Sequence, residues 1–180
     1  ILAEFDVVTY VTNGKAHTSQ SYGRITRLAA EQVAAGELRV LNASDFKPGQ
    51  DVGSGGVGLL LMPPPAIPDA VQNIQSIGLV VTYGEFKALM TGDSEKPETD
   101  AWLMRDRYRK LIADVDVYKS IHHGARNGDA GNAAWLGRVA PDVVVICVGR
   151  NSYGHPADET VSAYQELGAR VLRTDLDGGV

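Results

Sequence analysis

Cysteine is almost missing from this chain: of 180 residues, only Cys147 is one. No intrachain disulfide can form, so the fold must be held by its core. Set inside the apolar run VVVICV, the lone thiol reads as strand-buried and inert rather than as a nucleophile. Long hydrophobic runs are missing too. The longest, VGLLLM and VVVICVG, fall far short of the roughly 20 apolar residues that span a bilayer, so no membrane segment is expected. No basic stretch precedes an apolar one at the N-terminus, which leaves no recognisable signal peptide. An excess of positive charge is lacking as well: 17 Lys and Arg stand against 22 Asp and Glu, a net charge of −5. That weighs against a broad nucleic-acid-binding surface. It does not exclude a nucleic acid held by metal ions at one point. Histidine is scarce, at four residues, and the placing of each is therefore informative.

What is present has the balance of a globular protein, 44% hydrophobic and 22% charged. The length fits a single domain over 1–180, the major part of a larger one. Both ends read as interior sequence, ILAEFDVVTYVT at the start and RTDLDGGV at the close, which suggests a piece of a longer protein. FDVVTYVT is β-branched and aromatic and reads as a strand. SYGRITRLAAEQVAAG puts Tyr22, Ile25, Leu28, Ala29 and Val33 on one helical face, with Gly36 as a stop. ELRVLN and VGLLLM read as strands separated by a Gly-rich loop, KPGQDVGSGG, and PPPAIPDA (63–70) must be loop. SIGLVVTY and FKALMTG flank Gly84-Glu85 as a hairpin. Pro97 opens one helix running through Ile112, with Ala101, Met104, Tyr108 and Leu111 on a face. VDVYKS, VVVICV and RVLRT read as strands, with helices in AAWLGRVA and ADETVSAYQELG between them. The pattern predicts a mixed α/β sandwich.

Each polar cluster of interest follows a predicted strand: TGDSE, IHHGARNGD and GRNSYGHP. Alone, Asp93 is a turn aspartate, His122 and His123 are surface histidines, and His155 is a loop histidine. Together they are three of four histidines and a Gly-Asp in equivalent places. Neighbours on a strand point to opposite faces, so both histidines of the pair can serve one site only if the chain turns, which Gly124 permits. Imidazole nitrogen and carboxylate oxygen are what Zn or Mn takes from a protein. A carboxylate has two oxygens and can bridge two ions. Lys119, Arg126 and Arg150 flank the motifs and could offset phosphate charge; each alone reads equally as solvated surface charge.

The segments NIQSIGLVVTYGEFKALMTGDSE, DVYKSIHHGARNGD, PDVVVICVGRNSYGHP and GARVLRTDLDGGV resemble, in that order, the metallo-β-lactamase fold. More narrowly they are similar to its ComEC-like subfamily, the metallo-hydrolase domain of the DNA-uptake competence protein and its free-standing relatives. The resemblance implies a four-layer αββα sandwich with two divalent metal ions, Zn or Mn, at one edge of the sheets. It assigns Asp93 as the bridging carboxylate and His123 as a ligand. His122 would line the site, and His155 would stabilise charge on the substrate. The family usually carries HHGS where this chain has HHGA, so Ala125 removes one hydroxyl. The family's His-x-His-x-Asp-His signature is not in this sequence. The resemblance therefore implies a chain beginning just after it, without the first strands, and with apolar surface of the remaining sheet left open. His17, in the loop before the first helix, reads equally as a further ligand or as a loop histidine beside an N-cap at Thr18 or Ser19. Asn73 and Ser76 read equally as loop caps or substrate contacts.

On that resemblance the function is metal-dependent hydrolysis of a phosphodiester substrate, possibly DNA, with the metal pair activating a water. The alternatives are another ester on the same fold (a phosphorylcholine ester, a lactone or a β-lactam) and a non-catalytic binding module. The resemblance also favours an extracytoplasmic or membrane-attached parent; oligomeric state is not legible.

Overall fold

In a computed structural model, which describes residues 1–68 and 71–179, the chain divides into two compact units, Ile1–Phe46 and Lys47–Val180. The predicted loop over 63–70 ends on two residues outside the described set.

The first unit is a β-α-β element. Strand β1 (Thr9–Thr12) pairs in parallel with β2 (Arg39–Asn42), and helix α1 (Gln20–Ala34) connects them. Ser19 caps the helix, its side chain accepting from the Tyr22 N–H at 3.2 Å. Of the predicted apolar face of α1 only Ala29 is buried, while Ile25 and Val33 are exposed.

The second unit is built on a seven-stranded sheet in chain order: β3 (Gln50–Asp51), β4 (Val57–Met62), β5 (Gly78–Tyr83), β6 (Phe86–Met90), β7 (Val117–Lys119), β8 (Val143–Ile146) and β9 (Arg170–Arg173). Pairing is antiparallel from β3 to β6 and parallel from β6 to β9. Strand β3 lies in what sequence predicts as loop. Two residues of pairing suffice there because Asp51 Oδ1 accepts from the N–H groups of Gly53 and Leu59 and pins the bend. The β5–β6 hairpin turns on Gly84 at φ +58°, a conformation that costs glycine little.

The side-chain period of two divides the sheet into unlike faces. One row runs Leu60, Val80, Leu89, Tyr118, Val144 and Val171 across six paired strands, and Val80, Leu89, Tyr118 and Val144 have no exposed surface. This row belongs to one core cluster with Trp102 of α2 (Lys96–Leu103), Tyr108 of α3 (Asp106–Leu111), Trp135 of α4 (Ala133–Val139) and Tyr164 of α5 (Asp158–Glu166). Full burial of each large apolar side chain contributes about 1.5–3 kcal/mol. The opposite face carries Leu59, Val81, Ala88 and Val117 in one row and Leu79, Met90 and Val145 in the next, all partly exposed or exposed.

The helix predicted from Pro97 through Ile112 is two helices. Arg105 is extended, at φ −113° and ψ 119°, and Met104 is 81% exposed instead of facing inward. The reason is a shared acceptor. Trp102 Nε1 and Tyr108 Oη both donate to the Pro63 carbonyl at 3.1 Å. Residues six apart on one continuous helix point about 120° away from each other, so the chain must break to bring both to one oxygen.

Cys147 also departs from expectation. Strand β8 ends at Ile146, and Cys147 is exposed. Val144 and Ile146 face the core and alternate with partly exposed neighbours, so the next strand position but one, not Cys147, continues the buried row.

Candidate metal centre at the strand ends

Strands β6, β7 and β8 are parallel neighbours, so their C-terminal ends lie at one edge of the sheet. Asp93 follows β6, His122 and His123 follow β7, and His155 stands in the loop after β8. Ligands in open α/β sheets gather at such carboxyl ends, because the sheet fixes where the loops begin.

The histidine pair sits on a sharp turn. His122 has φ +47°, His123 φ +56° and Gly124 φ +80°, three consecutive left-handed residues. For non-glycine residues this costs roughly 1–3 kcal/mol each and persists only where the surroundings impose it. Here they do. The His122 N–H donates to the Gly92 carbonyl at 3.2 Å, joining the turn to the Asp93 loop. The Ala157 N–H donates to the Gly124 carbonyl at 2.9 Å, joining it to the His155 loop. A Cβ at Gly124 would stand 2.6 Å from Pro156 Cβ, so this position needs glycine for space as well as for φ.

This turn brings Asp93, His122, His123 and His155 together. His123 Nε2 lies 3.6 Å from Asp93 Oδ1, with both side chains partly open to solvent. His123 Nδ1 meets the Cys147 carbonyl at 2.7 Å. A carbonyl only accepts, so Nδ1 carries a proton, and Nε2 is the nitrogen that faces the carboxylate. The His122 and His155 rings are 5.6 Å apart, and those of His122 and His123 are 6.4 Å apart. The His155 imidazole is held below the usual histidine range, first by burial and then by the neighbouring His122 and His123. Asn151 shapes its loop, accepting from the N–H groups of Tyr153 and His155 and donating to the His155 carbonyl. Tyr153, 81% exposed, stacks on the His155 ring at 5.9 Å. A cleft of about 360 Å³ opens here, lined among others by His123, Cys147, Arg150 and His155.

The donor chemistry fits part of a metal shell. Two donors on one zinc-sized ion, each at ~2.0–2.1 Å, lie roughly 3.4 Å apart at a tetrahedral angle, near the 3.6 Å seen between Asp93 and His123. The Nδ1 contact is the outer bond that ligating histidines usually make. Among the described residues, however, no group of three or more His, Cys, Asp or Glu is placed to hold a metal ion.

His17 belongs to the first unit, where its Nδ1 accepts from the Ser19 N–H at 3.0 Å and its ring meets Tyr22 edge-on. Asn73 Nδ2 reaches Glu95 Oε1 at 3.4 Å, and Ser76 Oγ donates to the Asn73 carbonyl at 2.8 Å. Of the flanking cations, Lys119 Nζ caps the Gly92 and Ser120 carbonyls and Arg126 pairs with Glu159, which leaves Arg150 on the cleft.

Sequence reasoning passed over several acidic groups. Glu95 stands 3.9 Å from His122 Nδ1, an atom that has no hydrogen-bond partner and no solvent access. Glu98 is wholly buried and accepts from the Ser76 N–H; burial pushes its carboxyl up to about 8. Asp129 is wholly buried beneath the histidine turn, and burial pushes it up to about 6 against the hydrogen bonds that favour its charge. Asp129 has no direct signal in the sequence; only the polar tips of Tyr118, Trp135 and Tyr164, in a predicted strand and two predicted helices, need partners once buried.

No family model matches the chain. The chain is 33% identical over 118 residues to ComE operon protein 3 of Bacillus subtilis (strain 168), a match covering 64% of this chain and 14% of that protein. The crystal structure of CmlA, a diiron beta-hydroxylase from Streptomyces venezuelae, matches with a TM-score of 0.57 at 15% identity, over 94% of this chain and 38% of that one. A mutant of the CmlA beta-hydroxylase matches with a TM-score of 0.51, also at 15% identity, over 84% of this chain and 34% of that one. The fold is therefore the mixed α/β metallo-β-lactamase fold. Among the described residues, no helix is long and apolar enough to cross a membrane.

Proposed function

We propose that this chain is the major part of a single metallo-hydrolase domain of the ComEC-like kind, cleaving phosphodiesters, DNA among them. The observation that carries the reading is the Asp93–His123 pair, whose oxygen and nitrogen are spaced for one cation, with the His123 ring oriented from behind by the Cys147 carbonyl. Two side chains do not complete a coordination shell, so a pair of Zn or Mn ions needs further donors. Bound there, the ions would supply Lewis acidity and an activated water.

The chain's own residues do the rest. Asp93 and His123 would hold the ions, Asp93 as the carboxylate they would share. His155, held neutral by burial and by its neighbours, faces the substrate side and donates toward charge developing on the phosphoryl group. His122 lines the floor between them. Arg150, on the cleft wall, offsets the charge of a phosphate. The partial identity to ComE operon protein 3 supports the ComEC-like kind.

The test is a substrate panel on the intact protein supplied with Zn or Mn: a DNA strand, a phosphodiester chromogen, a phosphorylcholine ester and a cephalosporin. Metal-dependent cleavage of the first two is expected. A protein that binds no metal and cleaves none of the four is a binding module, and the proposal falls.

A further inference from the structure

Below the histidine turn, five side chains and one backbone group form a closed polar network. Asp129 Oδ1 accepts from Tyr118 Oη at 2.9 Å, and Asp129 Oδ2 accepts from the Ile121 N–H at 3.1 Å and from Tyr164 Oη. Trp135 Nε1 donates to Tyr118 Oη at 3.0 Å, and Ser120 Oγ meets Tyr164 Oη at 2.6 Å. Since Tyr118 and Tyr164 each give their proton to the carboxylate, the polarity is fixed. Trp135 feeds Tyr118, Ser120 feeds Tyr164, and both relays end on Asp129. Tyr118, Ser120, Ile121, Asp129, Trp135 and Tyr164 are all buried.

A fully buried carboxylate with no cation at bonding distance is expensive, and core stability alone does not ask for one. Its place explains it. Three of the groups it gathers, Tyr118, Ser120 and Ile121, are the residues leading into His122 and His123. The bond to Ile121 fixes the Ser120–Ile121 peptide, one residue before the left-handed run begins at His122.

We propose that Asp129 is the positioning residue of the histidine turn: by holding the Ile121 N–H and the two tyrosine hydroxyls, it keeps His122 and His123 in the left-handed conformation that aims His123 Nε2 at Asp93. The proposal rests on the reading of His123 as a site residue. Asparagine has the same size but one acceptor oxygen, so Asp129→Asn cannot serve the Ile121 N–H and both hydroxyls together. Tyr164→Phe removes one bond from Asp129 and leaves the Ile121 bond in place.

The test is hydrogen exchange by NMR on the whole chain, reading the Ile121 amide and the His123 Nδ1 proton. In the unaltered protein, Ile121 exchange is slowed about 1,000-fold or more, at the level of core strands, and the Nδ1 proton is visible. Asp129→Asn, still folded, lowers Ile121 protection by about 10-fold or more and loses the Nδ1 signal to solvent. Tyr164→Phe keeps both. Retention of both signals in Asp129→Asn overturns the proposal, and so does their equal loss in Tyr164→Phe. Should Asp129→Asn fail to fold, the unaltered protein decides alone: fast exchange at Ile121 in the folded chain overturns it. These readouts need no metal and no turnover. An inactive protein with the expected exchange pattern sinks the hydrolase reading and supports the positioning role. In active protein, Asp129→Asn lowers kcat about 10-fold or more with KM little changed, as for loss of aim rather than of binding.

Discussion

Two aspartates flank the same turn and live in opposite conditions. Asp93, above it, is partly open to solvent, and its Oδ1 faces Nε2 of His123. Asp129, below it, is sealed from water and takes protons from three donors. The upper carboxylate is short of partners and the lower one is saturated. A carboxylate facing an imidazole nitrogen is completed by a cation between them, a proton or a metal ion, whereas an acceptor ringed by neutral donors is finished. One aspartate is therefore built to bind and the other to hold.

The largest effect that separates them is on activity. Asp93→Asn keeps the shape and removes the charge that holds cations. Activity of the intact protein should fall by orders of magnitude and metal per chain should drop, while melting in the metal-free state shifts by no more than ~0.5 kcal/mol, as for a surface change. Asp129→Ala should do the reverse in stability. It strands an N–H and two hydroxyls at about 1–3 kcal/mol each, so denaturant unfolding should show a loss of several kcal/mol. Equal stability losses at the two positions would erase the distinction.

Next in size is His155→Ala. Because His155 is assigned to the substrate and not the ion, the rate should fall about 100-fold with metal retained, in the range for removing an electrostatic stabiliser. Metal loss matching that of Asp93→Asn would make His155 a ligand.

The smallest effect is in pH. Glu98 and Asp129 both have carboxyls raised by burial, to about 8 and about 6. A raised carboxyl pKa means the folded state binds the proton more tightly than the unfolded one. The stability this gives is fully present below the unfolded values of 4.5 and 3.8 and is lost as pH rises through the folded ones. The folded chain should therefore weaken from about pH 4 to about pH 8 on account of these two groups. Glu98→Gln, which cannot ionise, should flatten the upper part of that decline, measured by denaturant midpoints at pH 6 and pH 9. An unchanged slope in Glu98→Gln would mean that Glu98 is not the group concerned.

What the sequence made legible was the placing of polar clusters behind strands. Short apolar runs bounded by polar turns marked β6 to β9, and glycine at positions 92, 124 and 154 marked where the chain leaves the first three. The parallel order that sets three strand ends side by side is a tertiary fact, and periodicity does not carry it. The break between α2 and α3 was hidden because the face of Ala101, Met104 and Tyr108 satisfies helical spacing, and only the Pro63 carbonyl, some 40 residues away, forces it open. Cys147 was misplaced because a continuous apolar run gives no sign of where a strand stops. Asp129 was invisible for a related reason: in RNGD it has the company of a solvated turn, and its burial depends on aromatic residues from three other elements.

The claim that Asp93 and His123 face one cation is tested most directly by a zinc titration of the intact protein, followed through the side-chain nitrogens of His123. Before zinc, Nδ1 should carry a proton, held by the Cys147 carbonyl. On addition of zinc, Nε2 should shift as a ligand while the Nδ1 proton stays, and Asp93→Asn should weaken that response. A His123 whose Nδ1 carries no proton, or one that does not respond to zinc when the protein binds it, would contradict the account.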